Sequence, residues 1–381
     1  MATVDPASEE AQRNAEDAVG IAAIALEIGL FSIIAERLAN IDDLSFAELY
    51  AVMPADIQRI QSELSKGEKR LQSVTQRVMD DMTRGNDDWA AKYYQARGVE
   101  QVSAFNHSMM QQTIQASTEG IKRKVTALCR STVVGVGNSE FVPVEEAYRR
   151  IVSSAATAMT SGKLSGDDAI ARAIGMLSRD GLRVRYESGI TRNLHTAVRT
   201  NVMDAYRSTM SSLREMQGRE FGADGVEVTA HALCAPDHQP FQGMQYSNAE
   251  WRDIQFQPAR PLVVGANCGH TVFPIILGIS SRAYSSSEIA ELNALSNEEV
   301  EFEGLSGDVM TMSRYDASQY QRKVETTIRK HREAAYLTEK AGQDASRLHR
   351  GIESYERRYA KLSRQMGLTA RFENTSIHVA K

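Results

Sequence analysis

VEVTAHALCAPDHQPFQG at 226–243 and NCGHTVFP at 267–274 carry two of the chain's three cysteines and three of its eight histidines. VEVTAH alternates apolar and polar residues up to His231, the period of a half-buried strand. Pro236, Pro240 and Gly243 then mark loops, and HTVFPIIL at 270–277 is a second apolar segment. The sequence on either side reads as long polar helices. The expected fold is therefore α+β: a mostly helical chain with a small central α+β module and long flanking helices.

Outward from that module, 8–40 is helical by pattern. Its 18–34 stretch, AVGIAAIALEIGLFSII, is apolar nearly all round, so it should be buried against several partners. A break is expected at 40–43. Pro54 marks a helix start, with a polar helix over 56–82, a second break at Gly85 and a further helix over 88–96. Residues 99–130 continue without a strict heptad. GVGNS at 135–139 is a loop that lacks the lysine and hydroxyl residue of a phosphate-binding loop. A helix over 144–160, a cap at 165–168 with a helix over 169–179, a strand in LRVRY at 182–186 and a helix over 190–217 follow. Three serines at 285–287 precede a helix over 288–294, and long basic helices run from Ser313 to about Met366. No internal repeat is visible. Three regions result: a helical 1–135, the α+β module 136–285 and a basic helical extension 286–381.

The net charge of −5 is unevenly spread: 1–60 carries a net −8 and 311–381 a net +7. Opposite ends of opposite sign suit docking between chains, self-association included, and the basic end suits nucleic acid. Arg322, Lys323, Arg329, Lys330 and Arg332 form its densest run, with spacings that put several on one helix face. Acidic residues stand where a signal peptide has basic ones, and no apolar run approaches the roughly 18 residues of a membrane helix. Three cysteines make no disulfide framework, so reduced thiols and a cytosolic setting are expected.

His231, Cys234, His238, Cys268 and His270 admit three readings. Imidazole and thiolate are ordinary zinc donors, and a site joining the two loops would staple a module with a thin core. The spacing is not that of a zinc finger, and a hydrogen-bonded polar cluster with cysteines packed as small hydrophobes fits the same residues. A metal- or cysteine-dependent hydrolase is the third, with Cys268 paired to His270 or His238 and Glu227 as a base. HALC is not H-E-x-x-H, and no nucleophile elbow accompanies it. In the 190–217 helix, Arg199 and Asn201 sit beside an apolar face, placed to bond neighbouring strands and loops. Trp251 and Phe241 should cover the module, with Gln242 and Gly243 in the turn.

AVRTNV (197–202), VEVTAHA (226–232), PDHQPFQG (236–243), NCGHTVFP (267–274), GISSRAY (278–284) and QRKVETTIRK (321–330) resemble, in this order, the tailed-phage minor capsid protein 2 family. That family is akin to the Mu F-like head morphogenesis proteins. His231, Pro236, His238, Gln242, Gly243, Asn267, Cys268 and His270 match its pattern. Phe241 stands where tryptophan is usual, Gly269 where arginine is usual, and Arg332 where a lysine closes the C-terminal motif. If a metal is held, the resemblance makes His231, His238, Cys268 and His270 its ligands, with Cys234 as a substitute. It implies no enzyme. It implies a virion head protein, found in the host cytoplasm during assembly, associated with portal or major capsid protein and with packaged double-stranded DNA or its ejection. A free sequence-independent nucleic-acid-binding protein is the remaining alternative.

Overall fold

The computed structural model describes residues 6–377 except 96, 97, 99, 101, 138 and 257–267. About two thirds of the chain (66%) is helical, with small antiparallel sheets. Helix α1 (Pro6–Ala39) lies in the centre of the helical body and packs against five other helices. That is what an all-round apolar helix demands: Val19, Leu26, Leu30, Phe31, Ile34 and Leu38 lose all exposure. Within its Asn14–Ala39 part an 18-residue stretch reaches a mean hydropathy of 2.3, so the helix is long and apolar enough, by length and composition, to cross a membrane. This corrects the sequence expectation that no run approaches such a length. Here 67% of that stretch is buried inside the fold.

Helix α2 (Phe46–Gln95) is one rod, where the sequence pointed to a start after Pro54 and a break at Gly85. An interior glycine costs only about 1 kcal/mol. Burying Met82, Ala90 and Tyr94 on either side of Gly85 outweighs that. After α3 (Ser108–Arg130) come β1 (Thr132–Gly135), β2 (Phe141–Pro143), α4 (Val144–Thr160), α5 (Gly166–Asp180), β3 (Leu182–Arg185), β4 (Thr191–Asn193) and α6 (Leu194–Glu220). Ser165 caps α5, accepting from the Asp168 amide at 3.1 Å. The sheet order is β2-β1-β3-β4, with the two hairpins joined centrally through Val133↔Arg183. One apolar core spans α1 to α6 and takes in Leu337 and Ala341, so it crosses the 135/136 boundary read from the sequence.

The second sheet, β6-β5-β7, is made by β5 (Gly225–Val228), β6 (Gln245–Ser247) and β7 (Val272–Ile275), with α7 (Asn248–Phe256) beside it. Phe241 and Trp251 cover its small apolar cluster, as expected. Gly225 in the central strand is crowded: a Cβ there would stand 2.6 Å from the Tyr246 carbonyl oxygen. Backbone cannot swing aside as a side chain does, so Gly225→Ala is expected to cost about 1–3 kcal/mol. Chemical denaturation of the full chain measures this.

Helix α8 (Ser286–Asn297) begins at a capping box of Ser285 and Glu288. The hairpin of β8 (Glu299–Glu303) and β9 (Val309–Ser313), which the sequence reading missed, leads to α9 (Arg314–Lys340) and α10 (Ser346–Gln365). These share a separate core around Phe302, Tyr359 and Leu362. A repeated topology emerges without a repeated sequence. β2, β4, β6 and β9 each run straight into a helix, at Pro143, Asn193, Ser247 and Ser313. Three of those four residues, all but Pro143, are of types that form N-caps, and Ser313 accepts from the Asp316 amide at 3.1 Å.

Candidate metal centre

Strand register brings the two motifs together. Val228 pairs with Val272 in the antiparallel β5–β7 ladder. The Thr229 amide then donates to the Thr271 carbonyl, and the Thr271 amide to Thr229 Oγ1, both at 2.9 Å. Continued two residues further, this register sets His231 opposite Gly269. A Cβ on Gly269 would lie 3.0 Å from His231 Nε2. Gly269 leaves that space to the His231 ring.

The 229–242 loop folds back on the same strand through Gly243, whose amide donates to the Val228 carbonyl at 2.9 Å. Gly243 has φ +68°, and Ile289 of α8 fills the space a side chain would need. Leu233, at φ +57°, takes the left-handed conformation between His231 and Cys234. Such strain in a bulky residue persists only where surroundings enforce it. Here the Cys234 amide is held by Ser296 Oγ of α8 at 3.2 Å.

Donor atoms of His238, Cys268 and His270 converge within 4.8 Å of one another, a set able to hold a metal ion. Cys268 Sγ is 3.2 Å from His270 Nδ1 and 3.5 Å from His238 Nδ1. Zinc bonds of about 2.3 Å to sulfur and 2.05 Å to nitrogen, opened to the tetrahedral angle, put such atoms about 3.6 Å apart. The His231 ring lies tilted by 39° against His270 with centroids 4.3 Å apart, although its nitrogens lie outside the 4.8 Å set.

His231 and His270 each have a hydrogen-bond acceptor on the far side of the ring. His231 Nδ1–H donates to the Ala232 carbonyl at 2.9 Å, which leaves the lone pair on Nε2. That Nε2 is buried with no hydrogen-bond partner among the described residues. His270 Nε2–H faces Gln242 Oε1 at 3.3 Å, leaving its Nδ1 lone pair toward Cys268. The Asp237 carboxylate lies 3.8 Å from His238 Nε2. Far-side acceptors that fix the tautomer of a ligating histidine are the usual outer shell of a zinc site. The His270 amide also donates to Cys268 Sγ at 3.3 Å, which favours thiolate there. Burial first, and then His231 and His238, push the His270 pKa down to about 2; burial also lowers that of His238. Both rings are neutral at physiological pH, as ligation requires.

Cys234, read as a substitute ligand, stands on the opposite side of the His270 ring, 3.6 Å from Nε2. Burial pushes its thiol up to about 12, and it packs as a small hydrophobe. With Cys268 at 3% exposure and His270 at 1%, the nucleophilic pairing has no accessible thiol. Glu227, the candidate base, is fully buried; its carboxylate accepts from the Ala283 amide at 2.8 Å and from Gln245 Nε2 at 2.9 Å. It pins the 278–284 motif to β5. Gln242 is the motif residue with the clearest task. Its Oε1 accepts from the His231 amide at 3.2 Å and its Nε2 donates to Asn293 Oδ1 at 2.5 Å. Asn293 and Ser296 of α8 brace the site, and nothing in their spacing announces it. Asn267 lies outside the described residues.

Two other sequence expectations change. Asn201 Nδ2 bonds the Ala197 carbonyl of its own helix at 2.8 Å rather than a neighbouring strand. Arg199 is half-buried in the electrostatic neighbourhood of Asp17, His195 and Arg329. Of the basic α9 run, only Arg322 and Lys323 are exposed. Arg329 donates to His195 Nε2 at 3.2 Å, Lys330 to the Arg179 carbonyl at 2.8 Å, and Arg332 is ion-paired to Glu356. Those three hold the C-terminal unit together and to the body, so the run does not form one outward face.

A family model described as phage minor capsid protein 2 matches residues 24–366. No curated protein and no solved structure matches the chain.

Proposed function

The chain belongs to the phage minor capsid protein 2 family, and from that premise we propose that it is a structural component of the phage head, docked on portal or major capsid protein during assembly. The match across 24–366 carries this reading, because it takes in the helical body, the His/Cys sheet and most of the C-terminal unit alike. The role is mechanical. His238, Cys268 and His270 would hold a zinc ion, with His231 beside them against the His270 ring, and the metal would tie the two loops into one rigid knob. The surrounding helices present that knob to partners. The burial of Cys268 and His270, which leaves no accessible thiol, supports a structural metal over a hydrolase.

Co-expression with the neighbouring portal and capsid proteins, followed by gradient sedimentation of heads, tests the assignment. Mass spectrometry is expected to find the chain in the head fraction at low copy number. Its complete absence from heads, with portal and capsid present, overturns the reading.

A further inference from the structure

Helices α2 and α3 leave between them a groove of about 550 Å³ lined by Lys69, Gln72, Arg77, Arg84 and Lys122, among others, on one stretch. It continues past Gln72 and Lys122 to Arg123, Thr126 and Arg130. Six cations and three carboxylates line it in all. The carboxylates are engaged locally: Glu119 with Lys122 at 3.1 Å, Asp81 with Arg84 at 3.9 Å, and Asp80 with Gln76 Nε2 at 2.9 Å. Beneath them Glu68 accepts from Gln72 and Thr126, at 3.2 and 2.7 Å, and ties the two helices. Lys69, Arg77, Arg123 and Arg130 are exposed.

We propose that this groove binds the phosphate backbone of duplex DNA. Three features select that partner. The lining holds one apolar residue, Ala127, whereas a protein interface needs an apolar or aromatic centre. Its exposed Ser73 hydroxyl is of the kind that accompanies Arg and Lys on phosphate oxygens. The cations form two rows: Lys69 and Arg77 lie about 12 Å apart along α2, and Arg123 and Arg130 about 10.5 Å along α3, at 1.5 Å per residue. Two rows on adjacent helices can follow a charged polymer without reading its sequence. The inference rests on the head-protein reading for its setting, since it is the head that brings this chain to packaged DNA.

Fluorescence anisotropy of the full chain with a labelled 30-base-pair duplex between 50 and 200 mM salt tests it. The wild type is expected to bind, with affinity falling steeply as salt rises. Lys69→Gln/Arg77→Gln/Arg123→Gln/Arg130→Gln, with its fold checked by circular dichroism, is expected to lose at least tenfold in affinity and to flatten the log–log salt slope by about 3–4. Arg322→Gln/Lys323→Gln serves as the comparison and should bind as wild type does. No binding at 50 mM salt, or equal binding by the quadruple variant, overturns the proposal. So does cross-linking that places the acidic N-terminal region of a second copy in the groove. Incorporation of the quadruple variant into heads is scored separately: loss of DNA binding with normal incorporation leaves the head reading standing, and absence of wild type from heads removes that reading whatever the anisotropy shows.

Discussion

Freshly purified protein is expected to carry about one zinc per chain, and Cys268→Ala is expected to abolish it. The effect should be large because a bound metal would stand in for a core. The β6-β5-β7 sheet buries only a small cluster around Val228 and Val272 on the site's side. Structural zinc contributes roughly 10–16 kcal/mol of apparent binding free energy in small zinc-dependent folds. If about 5 kcal/mol of it is expressed as stability of this region, its Tm falls by roughly 10–20 °C on chelation or in the variant. Elemental analysis and differential scanning calorimetry with and without chelator are the measurements. His270→Ala should behave likewise, since that ring touches both Cys268 and Gln242. Cys234→Ala should keep its zinc, because that thiol faces the nitrogen engaged by Gln242. Metal-free protein with an unchanged Tm after chelation refutes the site.

Replacing Glu27 by glutamine should stabilise the protein at pH 8 and do little at pH 4.5. Glu27 is buried in α1, where its carboxylate accepts from the Leu182 amide at 3.1 Å. Burial pushes its pKa up to about 7, against an ordinary 4.5. Glu333 of α9 is pushed the same way by burial and then by Glu27, while Arg329 and Lys330 pull against both. The folded state therefore holds protons that the unfolded chain releases above pH 4.5. The stability they confer is complete below that value and is lost as pH rises through about 7. A shift of that size corresponds to roughly 3 kcal/mol by pH 8. Glutamine keeps the oxygen that Leu182 needs and removes the titration. His195 works in the other direction. Burial, then Arg329, lowers its pKa to about 3, so its contribution is lost as pH falls below 6.5. Urea denaturation of both proteins from pH 5 to 8 isolates the Glu27 term as their difference. Parallel curves across that range refute it.

Much of this molecule could be read from local pattern. The all-round apolar 18–34 stretch gave a central helix, alternation in VEVTAH gave β5, and Ser165 and the 285–287 serines marked helix starts. Each rests on a periodicity or a cap contained within a few residues. Gly85 and Pro54 misled because propensity terms of about 1 kcal/mol for glycine and about 3 kcal/mol for proline yield to side-chain burial supplied by other helices. The β8–β9 hairpin carried the same signal as VEVTAH, since EVEFE alternates acid with apolar residues, and its apolar side packs against α9 and α10. The basic α9 run looked like one face, yet whether a cation meets solvent or a buried carbonyl depends on what packs against it.

The sequence alone carried the family, the mixed helical and strand character, and the residue types of the His/Cys cluster. Those follow from chemistry and spacing along the chain. Which nitrogen of each histidine is offered, why Cys234 stands apart from Cys268, and why Glu27 resists ionisation were decided in three dimensions. A lone pair's direction is set by the acceptor behind the ring, and a charge's cost by the water removed around it. Gln242 behind His270, and Leu182 and Glu333 around Glu27, come from dozens or hundreds of positions away, brought together by strand register and helix packing.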